Sequence, residues 1–275
     1  MRLAIRTLQR IAIFGLGVLS VWLIVDVFEL VDRRLPWIFA LTITYIIGAY
    51  LILPRAVRMG LKILQRKRVP SYTITGDGLP GDPVNLALTG TAADLRSAFA
   101  TAGWCEADRL SLASSWRMVR AFVLNKPYPT APFSTLYLFG RAQDIGFQRC
   151  IDNSPRKRHH VRFWAQDLAG TEADWSSPAF WLNDQRPAED EHVLWVGAAT
   201  KDTGLSLTRM TYQITHATDS DTGAERNYLI EELSKSGVIG KVTNYRTGDE
   251  LVTKRVNHYV TDGDIAVAEI EARPQ

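Results

Sequence analysis

Cysteine is nearly missing from this chain. Cys105 and Cys150 are the two in 275 residues, and neither sits in a CxxC or Cys/His zinc spacing. Two cysteines exclude a disulfide-stapled scaffold and read as free thiols of a reducing compartment, with a single bridge between them left open. A strong charge excess is missing too. The net charge of +3 hides a division: residues 1–70 carry 11 Lys/Arg against 3 Asp/Glu (+8), and residues 71–275 carry 21 against 26 (−5). A basic end joined to a mildly acidic body argues against broad nucleic-acid binding, and no nucleic-acid partner is expected. Several catalytic signatures are absent as well: no HExxH, no G-x-S-x-G elbow, no GxxxxGK[ST] loop. GLPGDP (78–83) has no phosphate-loop spacing and reads as a turn in a linker. There is no internal repeat and no low-complexity tract. The composition, 46% hydrophobic and 22% charged, is that of a foldable chain.

What the chain does have is two long apolar runs. Ile11 to Val25 is free of charge and its apolar pattern extends to about Val31. Leu35 to Leu53 is 19 residues without a charge. A helix needs roughly 20 apolar residues to cross the hydrocarbon core, so spans are expected at about 11–31 and 35–53, joined as a hairpin by Asp32, Arg33 and Arg34. Arg2, Arg6 and Arg10 resemble the basic start of a signal peptide, but no small-x-small cleavage site precedes the second run, which favours an uncleaved hairpin. Asp26 and Glu29 belong at the interface beside Arg33 and Arg34. Cations flank both outer ends, including Arg55, Arg58, Lys62, Arg66, Lys67 and Arg68, so the positive-inside rule places both ends in the cytoplasm. The stretch 54–68 continues as a basic juxtamembrane helix near anionic headgroups. The expected partners are the lipid bilayer and a membrane protein.

From Pro70 the text turns rich in Gly, Pro and Asp, which predicts a linker over 69–81 and a new domain over 82–275. Helices are expected from Thr91, over 112–124, and from Ala224 to Ser236. Strands are expected at 134–140, 159–167, 192–200 and 207–217, with two or three more between Lys241 and Ala272. The three prolines of NKPYPTAPF force an extended connection before the first of these strands. Helices first, then mainly strands, is an α+β pattern: two N-terminal transmembrane helices, then a soluble domain with a mainly antiparallel sheet and a few helices. Trp104 and Trp195 are expected in the core, and Trp175 and Trp181 as its caps.

In order along the chain, GDPVNLALTGTAADLRSAFATAGW, PYPTAPFSTLYLFGRAQDIGFQR, RHHVRFW, WVGAAT followed by Asp202, and ITHATDSDTGAERNYLIEEL resemble the LssY C-terminal domain family, over about 82–237. The resemblance implies a membrane-associated bacterial protein, hence an inner-membrane location, and implies no particular reaction. The family is often linked to phosphatidic-acid-phosphatase-like segments. The PSGH signature of those segments is absent here, so a lipid-phosphatase role does not carry over.

RHHVRFW (158–164) carries the densest chemistry. The period of two along a strand puts Arg158, His160, Arg162 and Trp164 on one face and His159, Val161 and Phe163 on the other. The two histidines therefore point apart, which disfavours a joint metal clamp. Three readings follow. A metal-assisted hydrolase would draw ligands from His159 or His160, His216, Asp144 and Asp202. A metal-free phosphoryl-transfer enzyme would use His160 or His216 as acid/base, with Arg141, Arg158 and Arg162 on anionic oxygens. Arg141, Gln143, Arg158, Asp202, Glu225 and Arg226 would serve as ligand-binding groups in a binding module. The favoured reading pairs the arginines with Asp144, Asp202 or Glu225 in a buried network that supports binding or scaffolding. No cofactor is indicated.

Overall fold

The computed structural model describes residues 2–63, 70–124, 126–152, 154, 156–166, 187–207, 214–246, 251–252 and 259–271. Trp175 and Trp181 lie outside them.

The apolar runs form two long helices. Helix α1 spans Arg2–Asp32. Helix α2, Trp37–Ile47, passes through a π-helical turn at Gly48–Ile52 into α3, Leu53–Ile63. Pro54 has no N–H to donate one turn back, and the helix widens just before it. The hairpin closes through small residues. Ala40, Thr44 and Gly48, spaced by four, are buried along one stripe, and Ile24 of α1 lies 3.4 Å from where a Gly48 Cβ would stand. Gln9 Nε2 donates to the Ile63 carbonyl at 2.9 Å, tying the two ends together. The large apolar side chains Phe14, Trp22, Trp37 and Phe39 point outward. Thr7–Asp32 and Trp37–Leu61 are long and apolar enough to cross a membrane, and little of either is covered by protein.

The rest is α+β. Strands β3 (Leu86–Gly90), β4 (Cys105–Glu106), β7 (Ile145–Cys150), β8 (Arg158–Gln166), β9 (Val193–Leu207), β11 (Thr243–Arg246) and β14 (Asp264–Glu269) build one sheet in the order β11-β14-β3-β9-β8-β7-β4, and β10 (Ile214–Thr218) pairs with the far end of β9. Every described pair in it is antiparallel except β14 with β3. One face is covered by α4 (Ala92–Thr101) and α6 (Thr222–Lys235). There Leu88, Leu95, Phe99, Phe147, Phe163 and Leu229 form the larger core, with the Phe99 and Phe147 rings stacked 4.2 Å apart. Helix α4 starts where the sequence predicts, because Thr91 Oγ1 accepts from Asp94 N–H and the Asp94 carboxylate accepts from Thr91 N–H. The other face packs Ala87, Trp164, Val196 and Ala198 against Leu136 and Leu138.

That second face is covered by a small sheet, β2-β1-β5-β6, formed by β1 (Tyr72–Ile74), β2 (Pro80–Pro83), β5 (Tyr137–Leu138) and β6 (Arg141–Ala142). Here the structure departs from the sequence reading. The stretch expected as a linker, 69–81, contributes β1 and the start of β2. Two prolines are tolerated in β2 because it is an edge strand, where a missing N–H costs no ladder bond. The strand expected over 134–140 shrinks to two residues, since the chain reverses at Phe139 and Gly140, both with positive φ. Among the described residues four strands follow Lys241 where two or three are expected, and they include the short pair β12 (Leu251–Val252) and β13 (Val260–Thr261). A further helix, α5 (Leu112–Val123), matches its predicted span closely.

Candidate functional site

Strand β8 displays its side chains as the period of two requires. His159 faces α6, where Nδ1 meets both Glu225 carboxylate oxygens at 2.8 and 2.9 Å and the ring stacks on Tyr228 at 4.3 Å. Arg158, His160 and Arg162 face the small sheet and are almost fully buried. A joint metal site for the two histidines is ruled out by this opposition.

The buried row is closed by carboxylates from two strands. Asp202 stands directly opposite Arg158 in the β8–β9 ladder and accepts from its Nε at 2.7 Å. Arg158 also donates to Gln148 Oε1 at 2.6 Å and to the Ala131 carbonyl. Arg162 donates to Asp82 Oδ2 at 2.5 Å, and the Tyr259 hydroxyl donates to Asp82 Oδ1 at 2.6 Å. His160 sits between the two pairs. Arg162 Nη1 lies 2.6 Å and Thr200 Oγ1 2.8 Å from its Nε2. A guanidinium only donates, so Nε2 accepts and the ring proton belongs on Nδ1, 3.3 Å from Asp202 Oδ1. Two arginines are thus matched by two carboxylates, which is how charge is tolerated at this depth.

Phe133 seals the row. Its ring centroid lies 4.9 Å from the guanidinium carbons of both Arg158 and Arg162 and 5.2 Å from the His160 ring. This close approach needs a glycine in β7, because a Cβ on Gly146 would stand 2.3 Å from the ring. Beyond Phe133, at the β4–β7 edge, lies a cavity of about 450 Å³ whose walls include Glu106, Asp108, Arg109, Gln143 and Asp144. Of the buried row and its shield, Phe133 alone reaches that cavity.

The other candidate residues go elsewhere. Asp144 pairs with Arg141 and accepts from the Ala165 N–H at 2.8 Å, and Gln143 holds the Ser134 and Leu136 backbone. Arg226 grips Asp262 through both terminal nitrogens at 2.8 and 2.9 Å. Its partner was not among those expected, and it plays no part in the row. The backbone of His216 pairs with Leu205 on β9, while its side chain lies outside what is described. Among the described residues no cluster of three His, Cys, Asp or Glu has metal-holding geometry, and Cys105 and Cys150 are free thiols. Asp82, Gln148, Thr200, Tyr259 and Phe133 are the members that sequence reasoning missed. One signal was available: a second buried arginine on β8 requires a second carboxylate.

Burial would raise the Asp82 carboxyl, but the Arg162 charge, the neighbouring His160 and the Tyr259 hydrogen bond outweigh it and bring it down to about 2. Burial and the Asp82 charge push the Tyr259 hydroxyl well above the usual tyrosine range. A carboxyl depressed from about 3.9 in the unfolded chain contributes stability above that value and loses it as pH falls toward the folded value. Unfolding midpoints of the full chain should therefore fall between about pH 5 and pH 2, equivalent to about 2–3 kcal/mol, and an Asp82→Asn variant should flatten that part of the profile.

Comparison with known families gives a match over most of the chain. The model of the family described as LssY C-terminus covers residues 66–265. The chain belongs to that family. No curated protein and no solved structure matches it. The LssY C-terminus match takes in β1 and β2, so the strand that carries Asp82 is part of the family domain. It ends beyond Tyr259 and so spans every member of the closed network.

Proposed function

We propose that this LssY C-terminus protein is a membrane-tethered binding or scaffolding module. The network of its central strand is an internal brace, with no catalytic role. One observation carries this reading: Arg158, His160, Arg162, Asp82 and Asp202 are each less than 5% exposed, and each arginine is paired with a carboxylate inside the fold. A catalytic acid/base or anion clamp must reach its substrate, and these groups are spent inside the fold. The hairpin is read as two passes through a bacterial inner membrane, with the domain on the cytoplasmic side, supported by the basic flanks at both outer ends.

The test uses the full chain in nanodiscs with chromogenic phosphomonoesters and phosphodiesters and with phosphatidic-acid vesicles. The expected result is no turnover above that of a His160→Gln variant. Turnover that this substitution abolishes would establish the enzyme reading instead. For orientation, protease added to intact spheroplasts should leave the domain uncut; digestion there reverses the assignment.

A further inference from the structure

Helix α5 is amphipathic the wrong way round for a helix that packs on a core. Its inward residues are small, with Ser114 and Ala121 buried. Its large apolar residues face out: Leu112 is 93% exposed, Trp116 70%, Val119 47% and Val123 71%. At 100° per residue these four fall within roughly 60° of one another, forming one stripe two to three turns long. Leu110 and Leu124 extend it at both ends. One flank is basic. Arg109, Arg117, Arg120 and Lys126 lie along the same segment, and no Asp or Glu occurs from Arg109 through Lys126. Arg117 also reaches Asp108 at 3.3 Å and the Tyr128 ring. The helix is locally well made, since Ser111 and Ser114 cap each other's backbone N–H groups at 2.8 and 3.1 Å. Its exposed stripe is therefore not the side of a fraying segment.

We infer that α5 is an interfacial anchor: its stripe lies in the headgroup layer of an anionic bilayer, with its cations against the lipid phosphates. This rests on the membrane reading of the hairpin, which holds the domain beside such a surface at high local concentration. A Trp-bearing apolar stripe with Arg120 on its flank and Arg109 and Lys126 beyond its ends is complementary to anionic lipid, and Arg117 offsets Asp108, the carboxylate nearest to the segment in sequence. Seating the stripe would also bring Arg109 and Leu110, and with them the cavity they line, to the lipid surface.

The test uses the full chain with Cys105→Ser, Cys150→Ser and Val123→Cys, labelled with an environment-sensitive fluorophore. It is reconstituted in phosphatidylcholine vesicles with or without phosphatidylglycerol and with brominated acyl chains. Flotation reports the hairpin, and quenching by the bromines reports α5. The expected result is flotation in both lipids and stronger quenching in anionic vesicles. Arg120→Gln or Lys126→Gln should each lower the ratio of seated to unseated label about fivefold. As a second reading in a chain with both native cysteines, Trp116→Phe should remove part of the bromine quenching of tryptophan emission. A chain that floats with its label still in water, or with its label shielded from bromine in a concentration-dependent way by a second copy, overturns the inference alone. A chain that fails to float overturns it together with the membrane reading.

Discussion

Asp82→Ala is expected to destabilise the protein by about 3–5 kcal/mol, because it strands the Arg162 guanidinium in a nearly water-free site. The Tyr259 hydroxyl loses its acceptor in the same step. For a domain of this size that corresponds to a drop in unfolding midpoint of roughly 6–20 °C, read by intrinsic fluorescence on the detergent-solubilised full chain at one scan rate. Adding Arg162→Met should recover much of the loss, since removing both charges of a buried pair costs far less than removing one. A single substitution that shifts the midpoint by no more than about a degree would show that Asp82 is not the counter-charge. Because Asp82 joins the small sheet to β8, its loss should also loosen β1 and β2.

Phe133→Ala should cost a comparable amount, about 3–5 kcal/mol, for two additive reasons. The ring is buried, so its removal leaves a cavity, and it contacts both guanidinium groups. It is also the wall between the row and the cavity, so its removal would join the two and admit water to the arginines. Phe133→Leu should lose less, because it keeps the wall while giving up the cation–π contacts. Gly146→Ala approaches the same wall from the strand side; its Cβ would meet the ring at 2.3 Å, and the overpacking should cost about 1–3 kcal/mol. Equal midpoints for the Phe133→Ala, Phe133→Leu and parent proteins would count against the sealing role.

Much of this was legible in the amino-acid order where the signal is local. The α4 start follows from a Thr–Asp pair three residues apart, and the opposed faces of His159 and His160 follow from the pleat. The hairpin is read from apolar length, though its seam of Ala40, Thr44 and Gly48 is an outcome of packing. The Arg141–Asp144 pairing follows because the partners are neighbours in the chain. Strand β7 was missed because Gly146 reads as a break in a strand, and its reason, the Phe133 ring, lies 13 positions earlier on another segment. Asp82, the first residue of the expected domain, is read only as part of the linker turn GLPGDP because Gly and Pro on both sides dominate the local text.

By itself, the sequence determined that the protein has a basic, apolar hairpin, an α+β body and a strand that sorts Arg158, His160 and Arg162 to one face. These are properties of composition and of a two-residue period, and they need no distant partner. Whether that cationic row would hold an outside anion or neutralise the protein's own carboxylates was left to the tertiary structure. Asp82 and Tyr259 are 177 residues apart, and only the tertiary fold brings the Tyr259 hydroxyl to the carboxylate that also holds Arg162. A sequence period sets the direction of a side chain. The identity of what it meets is set by long-range contacts, and these put Asp82 and Asp202 where a ligand's charge would have been.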